Sequence, residues 1–145
     1  MVKEKWICDK CNQPIEKVEN AWFTWSKNLN DGSLSNFKII HHPTCKKPEP
    51  KIQKSKLSRP GDPLKRYLGK NGLDRLLELL SKTNSDAQNE MLEMIQRLQV
   101  PGYERARSYF EEAYADKQIV PPNQGVYYPT IEKIQEIIIK YEDEK

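Results

Sequence analysis

All three cysteines and both histidines of this 145-residue chain lie within its first 45 residues. They form two pairs of equal spacing, Cys8-x-x-Cys11 and His42-x-x-Cys45. Two intervening residues let both side chains of a pair point at one centre, so each pair can supply two metal ligands. Zinc prefers thiolate and imidazole ligands in a tetrahedron, and its structural sites commonly combine three cysteines with one histidine. The spacing therefore predicts one structural Zn²⁺ ion held by Cys8, Cys11, His42 and Cys45.

Two histidines stand side by side in the second pair, and only one of them is expected to bind the ion. Adjacent side chains of a strand point to opposite faces, so His41 and His42 do not both reach one centre. The spacing to Cys45 favours His42, and His41 is the alternative ligand. With His42 bound, His41 would lie at the surface or next to the ligands.

Other uses of this cluster fit its residue types less well. A catalytic zinc ion keeps one position open for water and often has a glutamate base nearby. Here four protein ligands fill the tetrahedron, and no glutamate accompanies the histidines. Cys45 as a nucleophile would need a thiolate that metal ligation consumes, and a redox role for Cys8 and Cys11 would not need the second pair. We therefore expect no catalytic residues and a protein that is not an enzyme.

The residues between the two pairs are typical of a β-hairpin. Residues 21–25 and 36–40 are rich in aromatic and β-branched side chains, and the Asn, Asp and Gly residues of 28–33 suit a turn between them. A resemblance to small zinc-knuckle and LIM-like modules of bacterial proteins is carried by Trp6-Ile7-Cys8-x-x-Cys11-x-x-x-Ile15 and Phe37-x-Ile39-Ile40-His41-His42-x-x-Cys45. The resemblance implies metal binding. Such modules serve as protein-docking, nucleic-acid-binding or purely structural units.

Residues 47–63 are predicted to be a basic, proline-rich linker. Prolines at 48, 50, 60 and 63 remove backbone donors and bias the preceding residues toward extended conformations. Between Cys45 and Pro60, Glu49 faces six basic residues, which are Lys46, Lys47, Lys51, Lys54, Lys56 and Arg59. Of these, Lys51, Lys54 and Lys56 are candidates for sequence-independent phosphate contacts. A solvated tether is the other interpretation.

The rest of the chain changes to helical periodicity. Apolar residues recur at i, i+3, i+4 and i+7, which predicts helices over 73–82, 86–99, 103–117 and 130–142. A tight turn between two short extended pieces is predicted before the last helix. Three helices followed by a two-stranded wing is the order of a winged-helix domain. The predicted fold class is α+β, with a zinc-bound β-hairpin module (1–46), the linker (47–63) and a mainly α-helical, winged-helix-like domain (64–145).

Residues 94–107 resemble helix–turn–helix segments such as that of the DNA-translocase gamma domain. There too an arginine-bearing helix, a Gly-Tyr turn and an Arg/Ala-rich helix precede a wing. The resemblance implies that Tyr103, Arg105 and Arg107 approach a phosphate backbone or base edges. The alternative is a plain helical bundle with both arginines on its solvated face, because this half of the chain is net acidic and DNA-reading faces are normally basic.

No segment approaches the roughly 18 apolar residues of a membrane helix, and the N-terminus does not have the pattern of a signal peptide. Three cysteines do not form a secreted disulfide framework, so we expect a cytoplasmic protein. The function that we expect is that of a non-catalytic zinc-binding accessory protein of bacterial or phage type, acting as a DNA-binding regulator. The alternative is a protein–protein adaptor with a purely structural zinc site. DNA or a protein is the expected partner, and neither a membrane nor a small-molecule substrate is indicated.

Overall fold

The computed structural model describes residues 5–42, 57–58, 60–119 and 129–142, the residues 57–58 by their backbone alone. Contacts divide the chain into a larger unit, residues 5–99, and a smaller unit that contains residues 100–145 together with 1–4. Strands and helices are both present, and the predicted α+β class is confirmed. None of the described helices is long and apolar enough to cross a membrane.

Two antiparallel sheets belong to the larger unit. The first pairs β1 (Trp6–Ile7) with β2 (Pro14–Ile15), on either side of the first cysteine pair. In the second, β3 (Ala21–Asn28) pairs with β4 (Leu34–His41) on one side. On its other side β3 pairs with β5 (Leu57–Ser58) and β6 (Gly61–Pro63). The predicted β-hairpin is thus β3 and β4.

Local side-chain chemistry makes the turn of this hairpin. The Oδ1 atom of Asn28 accepts a hydrogen bond from the N–H of Asn30, and that of Asp31 accepts one from Ser33, both at 2.8 Å. Such bonds from a side chain to the backbone two residues on close a turn without any distant partner. Gly32 supplies the positive φ of 75° that the turn requires.

Two helices complete the larger unit, α1 (Gly69–Ser81) and α2 (Gln88–Gln99). Short 3₁₀ turns over Val18–Asn20, Leu64–Tyr67 and Ser85–Ala87 connect its elements. A small sheet cannot bury its apolar face alone. Helix α2 packs against β4, and α1 packs against α2 and the 3₁₀ turn over Leu64–Tyr67. The shared core contains Ile15, Phe23, Trp25, Phe37, Ile39, Leu64, Tyr67, Leu76, Met91, Met94 and Leu98.

The core of the larger unit extends across both predicted boundaries, at 46 and at 63. Residues 57–58 and 61–63 of the predicted linker are strands that pair with β3, while residues 47–56 and 59 lie outside the described residues. The two helices that were predicted to belong to a C-terminal domain pack in the same core as the sheet. Periodicity reveals the apolar stripe of a helix, but it does not identify the surface that covers the stripe.

The smaller unit contains α3 (Tyr103–Arg107), α4 (Phe110–Ala115) and α5 (Ile131–Ile137), which continues as a π-helical turn over Ile138–Glu142. The helix predicted over 103–117 is divided in two, and the hydroxyl of Ser108 donates to the carbonyl of Arg105 where α3 ends. Its core contains Tyr103, Ala106, Phe110, Ala113, Ile134, Ile137, Ile138 and Tyr141. The predicted wing falls mostly on 120–128, outside the described residues, and stays a prediction.

Gly72 lies directly against the backbone of the turn that precedes α1. A Cβ atom at this position would overlap the backbone of Tyr67, in the 3₁₀ turn that precedes α1. The side-chain amide of Gln99 holds that turn, because it donates to the carbonyls of Tyr67 at 2.9 Å and Gly69 at 3.0 Å. Because this backbone is held in place, only glycine fits at position 72 of α1.

We therefore expect Gly72→Ala to lower the free energy of unfolding by about 3 kcal/mol, because the helix or the turn must shift. Lys70→Ala, an exposed position of the same helical turn, should change it by less than about 0.5 kcal/mol. Urea denaturation followed by tryptophan fluorescence measures the larger unit, which contains all three tryptophans. Equal midpoints for the two variants would contradict the close approach.

Candidate metal centre

Cys8, Cys11 and His41 bring three metal-ligating atoms together in the larger unit. The two sulfurs and one ring nitrogen lie within 4.8 Å of one another, and Sγ of Cys11 is 3.4 Å from Nδ1 of His41. With Zn–S near 2.3 Å and Zn–N near 2.0 Å, a tetrahedral ion separates a sulfur from a nitrogen ligand by about 3.5 Å. The distance between the sulfur of Cys11 and the nitrogen of His41 is therefore compatible with a tetrahedral zinc site.

The turn that carries the two cysteines is built by its own backbone. The N–H of Cys8 donates to the carbonyl of Gln13 at 2.9 Å, and the N–H of Asn12 donates to the carbonyl of Cys8 at 2.8 Å. Asn12 has a φ of 60°, in the left-handed region that asparagine tolerates better than most residues. Together with the pairing of β1 and β2, these bonds fold the residues between Cys8 and Cys11 into one tight turn.

The environment of Cys8 favours its thiolate form. Burial of this side chain raises the pKa, but the backbone N–H groups of Cys11, His41 and Lys10 donate to the sulfur and lower the pKa of Cys8 to about 6. Zinc binds the thiolate and not the thiol. These donors therefore prepare the sulfur for a metal ion, and one of them belongs to the strand that carries the third ligand.

Asp9, between the two cysteines, connects their turn to β4 and α2. Its N–H donates to the carbonyl of Ile39 at 2.7 Å, and its carboxylate accepts the N–H of Ile39 at 2.8 Å. One guanidinium nitrogen of Arg97 donates to both carboxylate oxygens, at 2.9 and 3.1 Å. The second terminal nitrogen of the guanidinium group donates to the carbonyl of Ile7 at 3.2 Å. The site is thus supported by an ion pair with Arg97, whose side chain is 1% exposed.

The spacing of cysteines and histidines in the sequence did not identify Asp9 and Arg97 as part of this site. The available signal was the position of Arg97, three residues after Met94 on the apolar stripe of its helix. A charged residue on such a stripe is buried with a partner or lies at its edge. The sequence alone did not identify that partner, because Asp9 is 88 residues away.

The two histidines have different neighbours in the structure. The side chain of His41, the alternative, joins the two cysteines. The ring of His42, the preferred ligand, stacks on Trp22 instead, with ring centroids 3.9 Å apart and an angle of 18° between the planes. Pairing of β4 with β3 aligns His41 with Ala21, and this register sets which side of the strand each histidine takes. Cys45 lies outside the described residues and stays a predicted ligand.

The three predicted nucleic-acid contacts of α3 are engaged within the smaller unit. Tyr103 is 1% exposed and packs edge to face on Phe110, with ring centroids 5.3 Å apart. It therefore belongs to the core. The linker candidates Lys51, Lys54 and Lys56 lie outside the described residues.

Both arginines of α3 pair with carboxylates. Arg105 donates two hydrogen bonds of 2.6 Å to Glu142, and these bonds hold the pKa of Glu142 below its usual range. Arg107 donates to Glu104 at 2.7 Å, and the side chain of Glu104 is fully buried. Any phosphate contact by these arginines would have to compete with carboxylates already in place.

Comparison with known proteins finds no matching protein-family model, curated protein or solved structure.

The burial of Tyr103 can be tested against its predicted role as a contact residue. Tyr103→Ala should lower the free energy of unfolding of the smaller unit by about 3 kcal/mol, because it leaves a cavity in that core. Arg105→Gln removes an ion pair that is partly exposed, and should change the stability by less than about 1 kcal/mol. Urea denaturation followed by circular dichroism gives both values. A Tyr103→Ala variant as stable as the wild type would place the ring outside the core.

Proposed function

We propose that this chain is a non-catalytic zinc-binding accessory protein, in which one Zn²⁺ ion has a structural role. Cys8, Cys11 and His41 would hold it, and Cys45 is the fourth ligand that the sequence predicts. The observation that carries the proposal is the convergence of two sulfurs and one imidazole nitrogen within 4.8 Å. The 3.4 Å separation of Cys11 and His41 supports zinc, since it is close to the edge of a zinc tetrahedron.

The surroundings of the ligands support a structural role. Cys8 is fully buried, so a substrate would have little access to that side of the site. Asp9, the acidic residue inside the turn, accepts hydrogen bonds from Ile39 and Arg97 and is not available as a base. When bound, the ion would link the cysteine turn to the end of β4 and add binding free energy to the stability of a small core.

The histidine ligand distinguishes this proposal from the sequence-based preference. His41→Ala should reduce the zinc content of the purified protein from one ion per chain to well below one, because it removes an imidazole from the ligand set. His42→Ala is the matched control, since it changes the adjacent residue and only removes a stacking contact with Trp22. Elemental analysis and native mass spectrometry measure the content. Loss of zinc from His42→Ala but not from His41→Ala would overturn the assignment.

Removal of the metal tests the structural role. A strong chelator should lower the thermal midpoint of the wild-type protein by at least about 10 °C, because structural zinc contributes directly to folding free energy. Addition of Zn²⁺ should restore the midpoint. Loss of metal without a change in the midpoint would argue against a structural ion.

The partner of the protein is a further part of the proposal. A DNA-binding regulator was expected from the order of the helices, and a protein–protein adaptor was the alternative. The burial of Tyr103 and the pairing of Arg105 and Arg107 with carboxylates favour the adaptor. A DNA-binding helix would instead present such groups to the phosphates.

Fluorescence anisotropy with a labelled DNA duplex at low salt decides between these two roles. For an adaptor we expect no salt-sensitive binding at protein concentrations up to tens of micromolar. Binding that weakens steeply with added salt, as the release of counterions from DNA requires, would restore the DNA-binding role. Such binding by a variant in which Lys51, Lys54 and Lys56 are all alanine would assign the contact to other residues.

A further inference from the structure

Asp9 joins both halves of the proposed metal site through its backbone and its side chain. It lies between the two cysteine ligands, and it makes two hydrogen bonds with Ile39, of 2.7 and 2.8 Å. Ile39 is two residues before His41 on the same strand, and residues at i and i+2 face the same side of a sheet about 7 Å apart. The position of the cysteine turn relative to His41 therefore depends on Asp9.

Arg97 holds Asp9 in this position. Its guanidinium group donates to both carboxylate oxygens of Asp9 and to the carbonyl of Ile7, the residue before Cys8. The indole N–H of Trp6 donates to the carbonyl of Arg97 at 3.1 Å. The side chain of Arg97 is 1% exposed and that of Asp9 is 20% exposed, so the two charges need each other in an environment that is poor in water.

We infer that Asp9 and Arg97 are positioning residues of the metal centre, which set the separation between the two sulfurs and the imidazole of His41. The inference rests on the proposed metal site and adds the residues that determine its geometry. Neither residue is among the three that would hold the ion. They act through Cys8, Cys11 and His41, in the way that groups hydrogen-bonded around ligands commonly tune metal affinity by 10- to 100-fold.

Two substitutions separate the charge of this pair from its shape. Asp9→Asn keeps the size of the side chain and one acceptor oxygen, but it leaves the guanidinium group of Arg97 without its counter-charge. Arg97→Lys keeps the charge, but a single ammonium group does not reproduce bonds to both Asp9 and Ile7. Leu76→Ala is the matched control, because it weakens the same core from α1, and its aliphatic side chain cannot form a hydrogen bond or an ion pair with either residue of the pair.

Cobalt substitution gives a readout that general stability does not move. Each variant is loaded with Co²⁺, its folding is checked by circular dichroism, and its visible spectrum and its rate of metal transfer to a chromophoric chelator are recorded. Asp9→Asn and Arg97→Lys should show altered ligand-field bands and release the metal at least about tenfold faster than the wild type. Leu76→Ala should keep the wild-type spectrum and release the metal within about threefold of the wild-type rate.

The outcomes distinguish a failure of the positioning role from a failure of the proposed metal site. Wild-type spectra and release rates in both Asp9→Asn and Arg97→Lys would overturn the positioning role, while the metal site itself would stand. Equal acceleration and spectral change in Leu76→Ala would also overturn it, since general loss of stability would then explain the effect. Failure of the wild-type protein to take up Co²⁺ would refute the metal site. If Asp9→Asn does not fold, Arg97→Lys alone decides.

Discussion

The arrangement of the cysteine turn, α2 and β4 in the larger unit depends on the ion pair between the buried Arg97 and Asp9. A guanidinium group that is removed from water costs free energy unless a counter-charge and hydrogen-bond acceptors surround it. Asp9 supplies the charge, and the carbonyl of Ile7 supplies a further acceptor. The pair thereby joins α2 to β1 and to the cysteine turn, and Asp9 extends the connection to β4. A helix late in the unit and a turn at its beginning are held in one arrangement.

Backbone hydrogen bonds protect the outer edge of β4 in the same region. The N–H of Leu34 donates to the carbonyl of Lys82 at 2.9 Å, and the N–H of Asn84 donates to the carbonyl of Leu34 at 2.8 Å. Farther along the strand, Asp9 occupies both the N–H and the carbonyl of Ile39. An edge strand with unpaired groups is a site for unwanted association. Asp9, which covers part of this edge, also brings the cysteine turn next to His41.

In the smaller unit, local sequence patterns and burial lead to different conclusions about function. Arg105 and Arg107 lie in the segment that resembles a helix–turn–helix, yet the structure pairs each with a carboxylate. Glu104 and Glu142 supply those carboxylates from α3 itself and from the turn that follows α5. A partly exposed pair such as Arg105 with Glu142 contributes little stability, but both pairs leave less positive potential at the surface. The proposed role as a protein–protein adaptor rests in part on this pairing.

The sequence by itself determined the elements that depend on near neighbours. The hairpin of β3 and β4 follows from two segments rich in aromatic and β-branched residues and from a turn closed by Asn28 and Asp31. The convergence of Cys8 and Cys11 follows from their spacing, and most helix positions follow from apolar periodicity. Only the tertiary structure decided which histidine faces the cysteines, where Arg97 is buried and which core α1 and α2 complete. Each of these depends on a partner far away in the chain: strand register for His41, Asp9 for Arg97, and the sheet for the two helices. Spacing and periodicity indicate which side chains of one segment share a face. Contacts between distant segments decide which residues those side chains pack against or bind.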